Sequence, residues 1–187
     1  MSEITTVMND GVNKMNKAVD VAKEDLASIR TGRAHPSLFN KVIVDYYGAP
    51  TALNQLATVQ IPEARVAIIN PFDKGATASI EKALRESDLG VNPNNDGVSI
   101  RINFPQLTEE RRKEYIKVAK SKGEDAKVSI RNIRRSVKEA LEKMEKDGAI
   151  SKDDLARAEK ELEKHTGDHT AKIDELLKHK EAELLEV

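Results

Sequence analysis

The chain has no cysteine and no tryptophan, and only three phenylalanines and three tyrosines in 187 residues. Without cysteine, disulfides and thiolate metal sites are excluded, and a reducing compartment fits. Scarce aromatics argue against stacking on the bases of a single strand. No apolar run approaches the roughly 18 residues of a membrane span. The start, Met1-Ser2-Glu3-Ile4, lacks a basic stretch followed by an apolar run, so no secretory leader is expected. The expectation is a soluble cytoplasmic protein with no membrane partner. Catalytic signals are missing too: there is no Gly-rich phosphate loop, no GKS or GKT motif and no nucleophile elbow. The chain therefore reads as no enzyme.

What it has in quantity is charge, 34% of all residues, a composition that leans towards long helices. The net charge of −1 hides a segregation: residues 106–148 sum to +4 and residues 149–187 to −4. Within the basic segment Lys113, Lys117, Lys120, Lys127, Arg131, Arg134 and Lys138 recur at three- and four-residue steps, broken by Glu124. That spacing stacks side chains on one face of a helix over about 108–147. One position earlier runs an apolar row, Ile116, Ala119, Gly123, Ala126, Ile130, Ile133, Val137, Ala140 and Met144, interrupted in kind only by the glycine. The helix buries one face and shows a cationic face beside it.

Two further helices accompany it. Ile4, Met8, Val12, Met15, Val19, Ala22, Leu26 and Ile29 form a heptad-like seam that needs a partner surface. Near the C-terminus Ser151 is placed to cap a third helix, with Asp153 and Asp154 at the positive end of its dipole and Ile150 and Leu155 as a hydrophobic staple. Its buried row is Ala158, Leu162, Ile173, Leu176, Leu177 and Leu184, and Gly148 is placed to end the preceding helix. So short a connection packs these two helices antiparallel, and the first supplies the third wall of a bundle.

The middle segment changes grammar. Strand-like runs at Lys41–Tyr47, Ala57–Ile61, Arg65–Asn70 and Val98–Asn103 surround one short helix, Ala76–Ser87, with Gly48-Ala49-Pro50 breaking the first run. The fold class expected is α+β: a long three-helix bundle from residues 1–30 and 106–187, with a small β/α/β domain, residues 31–105, inserted between helices one and two. The chain crosses between them at Arg30-Thr31-Gly32-Arg33 and Phe104-Pro105-Gln106-Leu107, either as a hinge or as plain connectors.

Candidate sites follow from charge. Arg131, Arg134, Arg135 and Lys138 occupy one surface, with Lys127 on the same stripe and Arg30 and Arg33 available from the first crossing. Arginine forks match phosphate oxygens in two-point contacts, and backbone and shape recognition of structured RNA suits such a face. The competing reading is a solvated face held by pairs such as Arg135–Glu139 and Lys138–Glu142, or by pairing with the acidic third helix. His165 and His169 stand four apart and near the packing row; no third metal ligand is evident, so a partly buried helix face is the expectation and no metal site is assigned. A coiled-coil adaptor, which would self-associate, and a hydrolase hidden in the small domain are the other classes.

Six separate motifs resemble one family. They are Ile29-Arg30-Thr31-Gly32-Arg33-Ala34, Tyr46-Tyr47-Gly48, Leu56-Ala57, Ser87-Asp88-Leu89-Gly90-Val91-Asn92-Pro93, Leu107-Thr108-Glu109-Glu110-Arg111-Arg112-Lys113 and Arg131-Asn132-Ile133-Arg134-Arg135. In this order, over essentially the full chain, they resemble the ribosome recycling factors; only His35 stands where a smaller residue is expected. The resemblance implies an L-shaped, monomeric, two-domain molecule without a cofactor of its own. It implies partners as well: the large ribosomal subunit with its rRNA, and elongation factor G, which binds the GTP. Together they would split the post-termination ribosome, releasing mRNA and tRNA for a new round. It points to Arg131 and Arg134 as principal rRNA contacts, with Arg30, Arg33, Arg135 and Lys138 secondary.

Overall fold

The computed structural model describes residues 2–186. In chain order its elements are α1 (Glu3–Ala27), β1 (Ile43–Tyr46), β2 (Ala49–Ala52), α2 (Leu53–Leu56), β3 (Ala57–Glu63), β4 (Val66–Pro71), α3 (Thr77–Glu86), β5 (Pro93–Asn95), β6 (Ile100–Asn103), α4 (Glu109–Lys146) and α5 (Lys152–Leu185). The fold is α+β, a long helical bundle with a small β-sheet domain inserted after its first helix. By contacts it divides into two compact units. One joins the chain up to Leu26 with Lys117–Lys180, the other joins Ala27–Ile116 with the stretch from Glu181.

In the first unit the three long helices share one core. Met8, Met15 and Ala22 enter from α1; Ala126, Ile130, Val137 and Leu141 from α4; Ala158, Leu162 and Ile173 from α5. Steps of seven along α1, of four and seven along α4, and of four and eleven along α5 keep one stripe inward. On α4 the expected row is buried at Ala119, Gly123, Ala126, Ile130 and Val137 and half-buried at Ile116, Ile133, Ala140 and Met144, while Leu141, outside that row, is fully buried. Two glycines mark where helices close in. A Cβ on Gly11 would lie 2.5 Å from Cγ2 of Val137, and one on Gly123 would lie 3.2 Å from Cδ2 of Leu177. Gly123 therefore serves packing against α5.

The buried row of α5 includes two polar residues that hydrophobicity alone does not select, His169 and Lys180. Leu176 and Leu177 are half-buried. His169 is satisfied in place: Nδ1 donates to the main-chain oxygen of His165 at 2.6 Å, and Nε2 meets the Asn16 side-chain amide of α1 at 2.7 Å. Both ring nitrogens are thus occupied. Among the described residues no group of three His, Cys, Asp or Glu is placed to hold a metal.

The junction of α4 and α5 follows its local chemistry. Gly148 adopts φ +75°. The amide of Ala149 donates to the carbonyl of Met144 at 2.9 Å, and that of Gly148 to Glu145 at 3.0 Å, closing the helix as a Schellman turn. Ser151 then caps α5 by accepting from the Asp154 amide at 3.1 Å. Hydrogen bonds from Ser151, with Arg157 nearby, hold the Asp154 carboxyl below its ordinary range.

In the second unit β1 and β2 form a hairpin, and a four-stranded antiparallel sheet runs β3-β4-β6-β5. Tyr47 and Gly48, at φ +49° and +83°, make the two-residue hairpin turn. The expected strands and helix α3 are present, but β2 and β5 are additions. Each carries a proline, which reads as a breaker, yet β2 lies in a two-stranded hairpin and β5 at the sheet edge, the positions where a strand tolerates proline. Ile69, Ile80, Leu84, Ile100 and Ile102 anchor the core between sheet and helix.

Candidate nucleic-acid interface

The cationic face rests on α4, which opens with Thr108 accepting from the Arg111 amide at 3.2 Å and with Glu109 and Glu110 in its first turn. With 38 residues, α4 carries the stripe along roughly 57 Å at 1.5 Å per residue. Most of its cations have carboxylates close by. Lys113 pairs with Glu109 at 3.1 Å, and Arg131 reaches back two turns to Glu124. Lys127 pairs with Asp174 of α5, and Arg134 Nε donates to Oε1 of Glu163, also on α5, at 2.6 Å. Lys138 stands 3.9 Å from Glu142. Arg135 is exposed and carries no ion pair among the described residues, so the Arg135–Glu139 pair considered from spacing is not formed.

The strength of these pairs decides what the face can do. The side chains of Arg134 and Glu163 are 40% and 56% exposed, and pairs so open to solvent contribute about 0.2–1 kcal/mol. Exchanging such a carboxylate for an RNA phosphate costs little and gains counterion release. Lys127 is the most covered of the group, at 26% exposure. The face therefore has graded availability: Arg135 open, Arg131, Arg134 and Lys138 loosely held, Lys127 most enclosed.

Arg30 and Arg33 separate in the structure. Arg33 is exposed, beside a local turn in which its amide donates to the Thr31 hydroxyl. Arg30 is only 6% exposed. Its Nη2 donates to the main-chain oxygen of Pro105, and its guanidinium carbon lies 5.3 Å from the centre of the Phe104 ring. Phe104 in turn packs edge-on against Phe39 at 6.1 Å. Burial lowers the Arg30 pKa; Tyr115 opposes that shift and the Arg111 charge adds to it. Nε of Arg30 has no hydrogen-bond partner. Grouped with the phosphate contacts by charge and position, Arg30 is in fact enclosed, because the second crossing supplies a ring and a carbonyl that cover it.

The remaining crossing residues are placed as follows. Leu107 is buried, Pro105 and Gln106 are exposed, and Thr31 and Gly32 are intermediate. Main-chain bonds tie both crossings to the turn between β3 and β4: the Ala34 amide to Ala64 oxygen at 2.6 Å, and the Phe104 amide to Arg65 oxygen at 2.7 Å. Sequence reading missed that enclosure of Arg30; the signal available was an aromatic and a proline in the second crossing. Among the described residues no helix is long and apolar enough to cross a membrane.

Comparison with known proteins gives a consistent result. A family model described as ribosome recycling factor matches residues 22–185. The ribosome-recycling factor of Streptomyces coelicolor is 62% identical over 184 residues, covering 98% of this chain and 100% of that protein. That of Beutenbergia cavernae is 60% identical over the same span. A solution structure of a ribosome recycling factor aligns over 100% of both chains with TM-score 0.78 and 36% identity. The T. thermophilus ribosome recycling factor, from models in which it and E. coli elongation factor G are bound to the E. coli post-termination complex, aligns over 100% of both chains with TM-score 0.68 and 42% identity.

Proposed function

The chain belongs to the ribosome recycling factor family, and on that premise we propose how its residues serve ribosome recycling. The family is not enzymatic, so the chain acts by binding and by moving. With elongation factor G, which binds and hydrolyses the GTP, it splits the post-termination ribosome into subunits and frees mRNA and tRNA. It works as a cytoplasmic monomer.

In this reading residues 1–30 and 106–187 form the bundle that grips large-subunit rRNA. Arg131, Arg134, Arg135 and Lys138 meet phosphates, with Lys127 and Arg33 at the margins. The observation that supports the assignment is the state of this face: among the described residues one arginine carries no ion pair, and Arg131, Arg134 and Lys138 are held only by exposed carboxylates. Residues 31–105 form the small domain, which turns about Arg30–Arg33 and Phe104–Leu107 while the bundle stays put. Heptad packing keeps the bundle stiff enough to transmit a push instead of absorbing it.

Light scattering from post-termination ribosomes tests the function directly. Scattering should fall only when this chain, elongation factor G and GTP are all present. No fall, with ribosome binding intact, would refute the splitting role with that partner; loss of binding as well would refute the rRNA assignment.

A further inference from the structure

We infer that α5 carries a built-in competitor for RNA: in the free protein the Glu163 carboxylate stands where a phosphate sits in the complex, and masks Arg134 until a phosphate displaces it. The inference rests on the RNA-gripping face proposed above and names what sets the affinity of that face.

The geometry is that of a stand-in anion. One oxygen of Glu163, Oε1, lies 2.6 Å from Nε of Arg134 and 2.5 Å from its Nη2, so two donors on one edge of the guanidinium converge on a single acceptor. That edge is one of those with which arginine grips phosphate, and it cannot serve both anions at once. Asp174, about three turns further along α5, does the same to Lys127, about two turns earlier on α4. A structural bond between helices is the other use of such pairs, and two observations weigh against it. The helices already share a core, with Ala126, Ile130, Val137 and Leu141 of α4 against Leu162 and Ile173 of α5, and burial of that core outweighs an exposed pair. Both pairs also take their cation from the stripe proposed to meet RNA.

Competition of this kind makes the grip releasable. A carboxylate on the same chain is always beside the arginine, so its effective concentration is high whatever the surroundings. It re-forms its pair as soon as a phosphate leaves, and the masked face dissociates faster than a bare one. A factor that binds and departs in every round is served by a face held below its maximal affinity.

Binding to isolated large ribosomal subunits tests the mask. Glu163→Gln keeps the shape and removes the charge; Glu163→Ala removes the acceptor as well. Both should bind about 1.5- to 5-fold more tightly than wild type, the fold-change that corresponds to one exposed pair. The gain should lie mainly in slower dissociation, with thermal stability near wild type. Asp174→Asn should gain less, since Lys127 is the most enclosed cation of the group. Glu175→Gln is the control: it is exposed on the same helix and has no ion pair among the described residues, so it removes the same charge and unmasks nothing. Equal gains in Glu163→Gln and Glu175→Gln would reduce the effect to net charge and overturn the mask. Weaker binding in Glu163→Ala would overturn it too, by making Glu163 a support for Arg134. If the wild-type chain does not bind large subunits, the proposed function fails by itself, and elution from immobilised heparin, a sulfated polyanion, decides the mask. There Glu163→Gln should elute at higher salt than Glu175→Gln; elution at the same salt would overturn the inference.

Discussion

Arg135 stands exposed on α4 with no ion pair among the described residues, whereas Arg134, one position earlier, is bonded to Glu163 of α5 at 2.6 Å. In the proposed encounter with RNA, side chains of identical chemistry would thus start from different states. Among the described residues Arg135 has no ion-pair partner to give up; Arg134 would trade one, though an exposed one of about 0.2–1 kcal/mol. Arg135→Ala should therefore reduce the slope of log affinity against log salt by about 0.7–0.9. It should leave thermal stability unchanged within about 0.5 kcal/mol. Filter binding to large subunits across a salt series, beside a thermal melt, checks both. An unchanged slope would remove Arg135 from the interface.

Helix α1 shows how much a single small residue sets at the level of an element. Gly11 is buried in the middle of the helix, where glycine costs about 1 kcal/mol of helix propensity relative to alanine. The cost is accepted because Cγ2 of Val137 lies 2.5 Å from where a Cβ would stand. Valine is stiff at χ1 and cannot swing aside within the helix. Gly11→Ala should destabilise the bundle by about 1–3 kcal/mol despite the better propensity, a fall in Tm of roughly 2–4 °C for each kcal/mol in a chain of this size. Val137→Ala in the same background should recover part of the loss, and the double-mutant cycle measures the clash itself. An equal or higher Tm in the single variant would show that the helices separate at no cost.

At the scale of the whole molecule, the +4 of residues 106–148 faces the −4 of residues 149–187, and the structure converts part of that complementarity into the Lys127–Asp174 and Arg134–Glu163 pairs. Under the proposed function the same charges would hold the bundle weakly and RNA strongly, because the first use is solvent-exposed pairing and the second releases counterions. Raising salt from 50 to 200 mM should therefore move the thermal midpoint very little while weakening ribosome binding by orders of magnitude, about 10³-fold or more if six or more phosphates are met. Parallel melts and binding isotherms separate the two. A midpoint that fell along with affinity would mean that ion pairs, and not the shared apolar core, hold the helices together.

Most of the architecture was legible in the chain because its signals are local. The seam on α1, the Gly148 stop and the Ser151 cap each lie within a few residues, and backbone geometry leaves such patterns few outcomes. Strands β2 and β5 were hidden by their prolines, since whether a proline is tolerated depends on a neighbouring strand that local sequence does not name. Spacing placed His169 near the packing row of α5, but not the Asn16 amide that satisfies it, 153 residues away, and Lys180 in the buried row was not foreseen. At the candidate site the sequence by itself determined which residues are cationic and that they share one face of α4. Only the tertiary structure decided which of them are free: Glu163 meets Arg134 across 29 residues, and Pro105 meets Arg30 across 75. Periodicity is a property of one helix, whereas the enclosure of a charge is a property of whatever else folds against it.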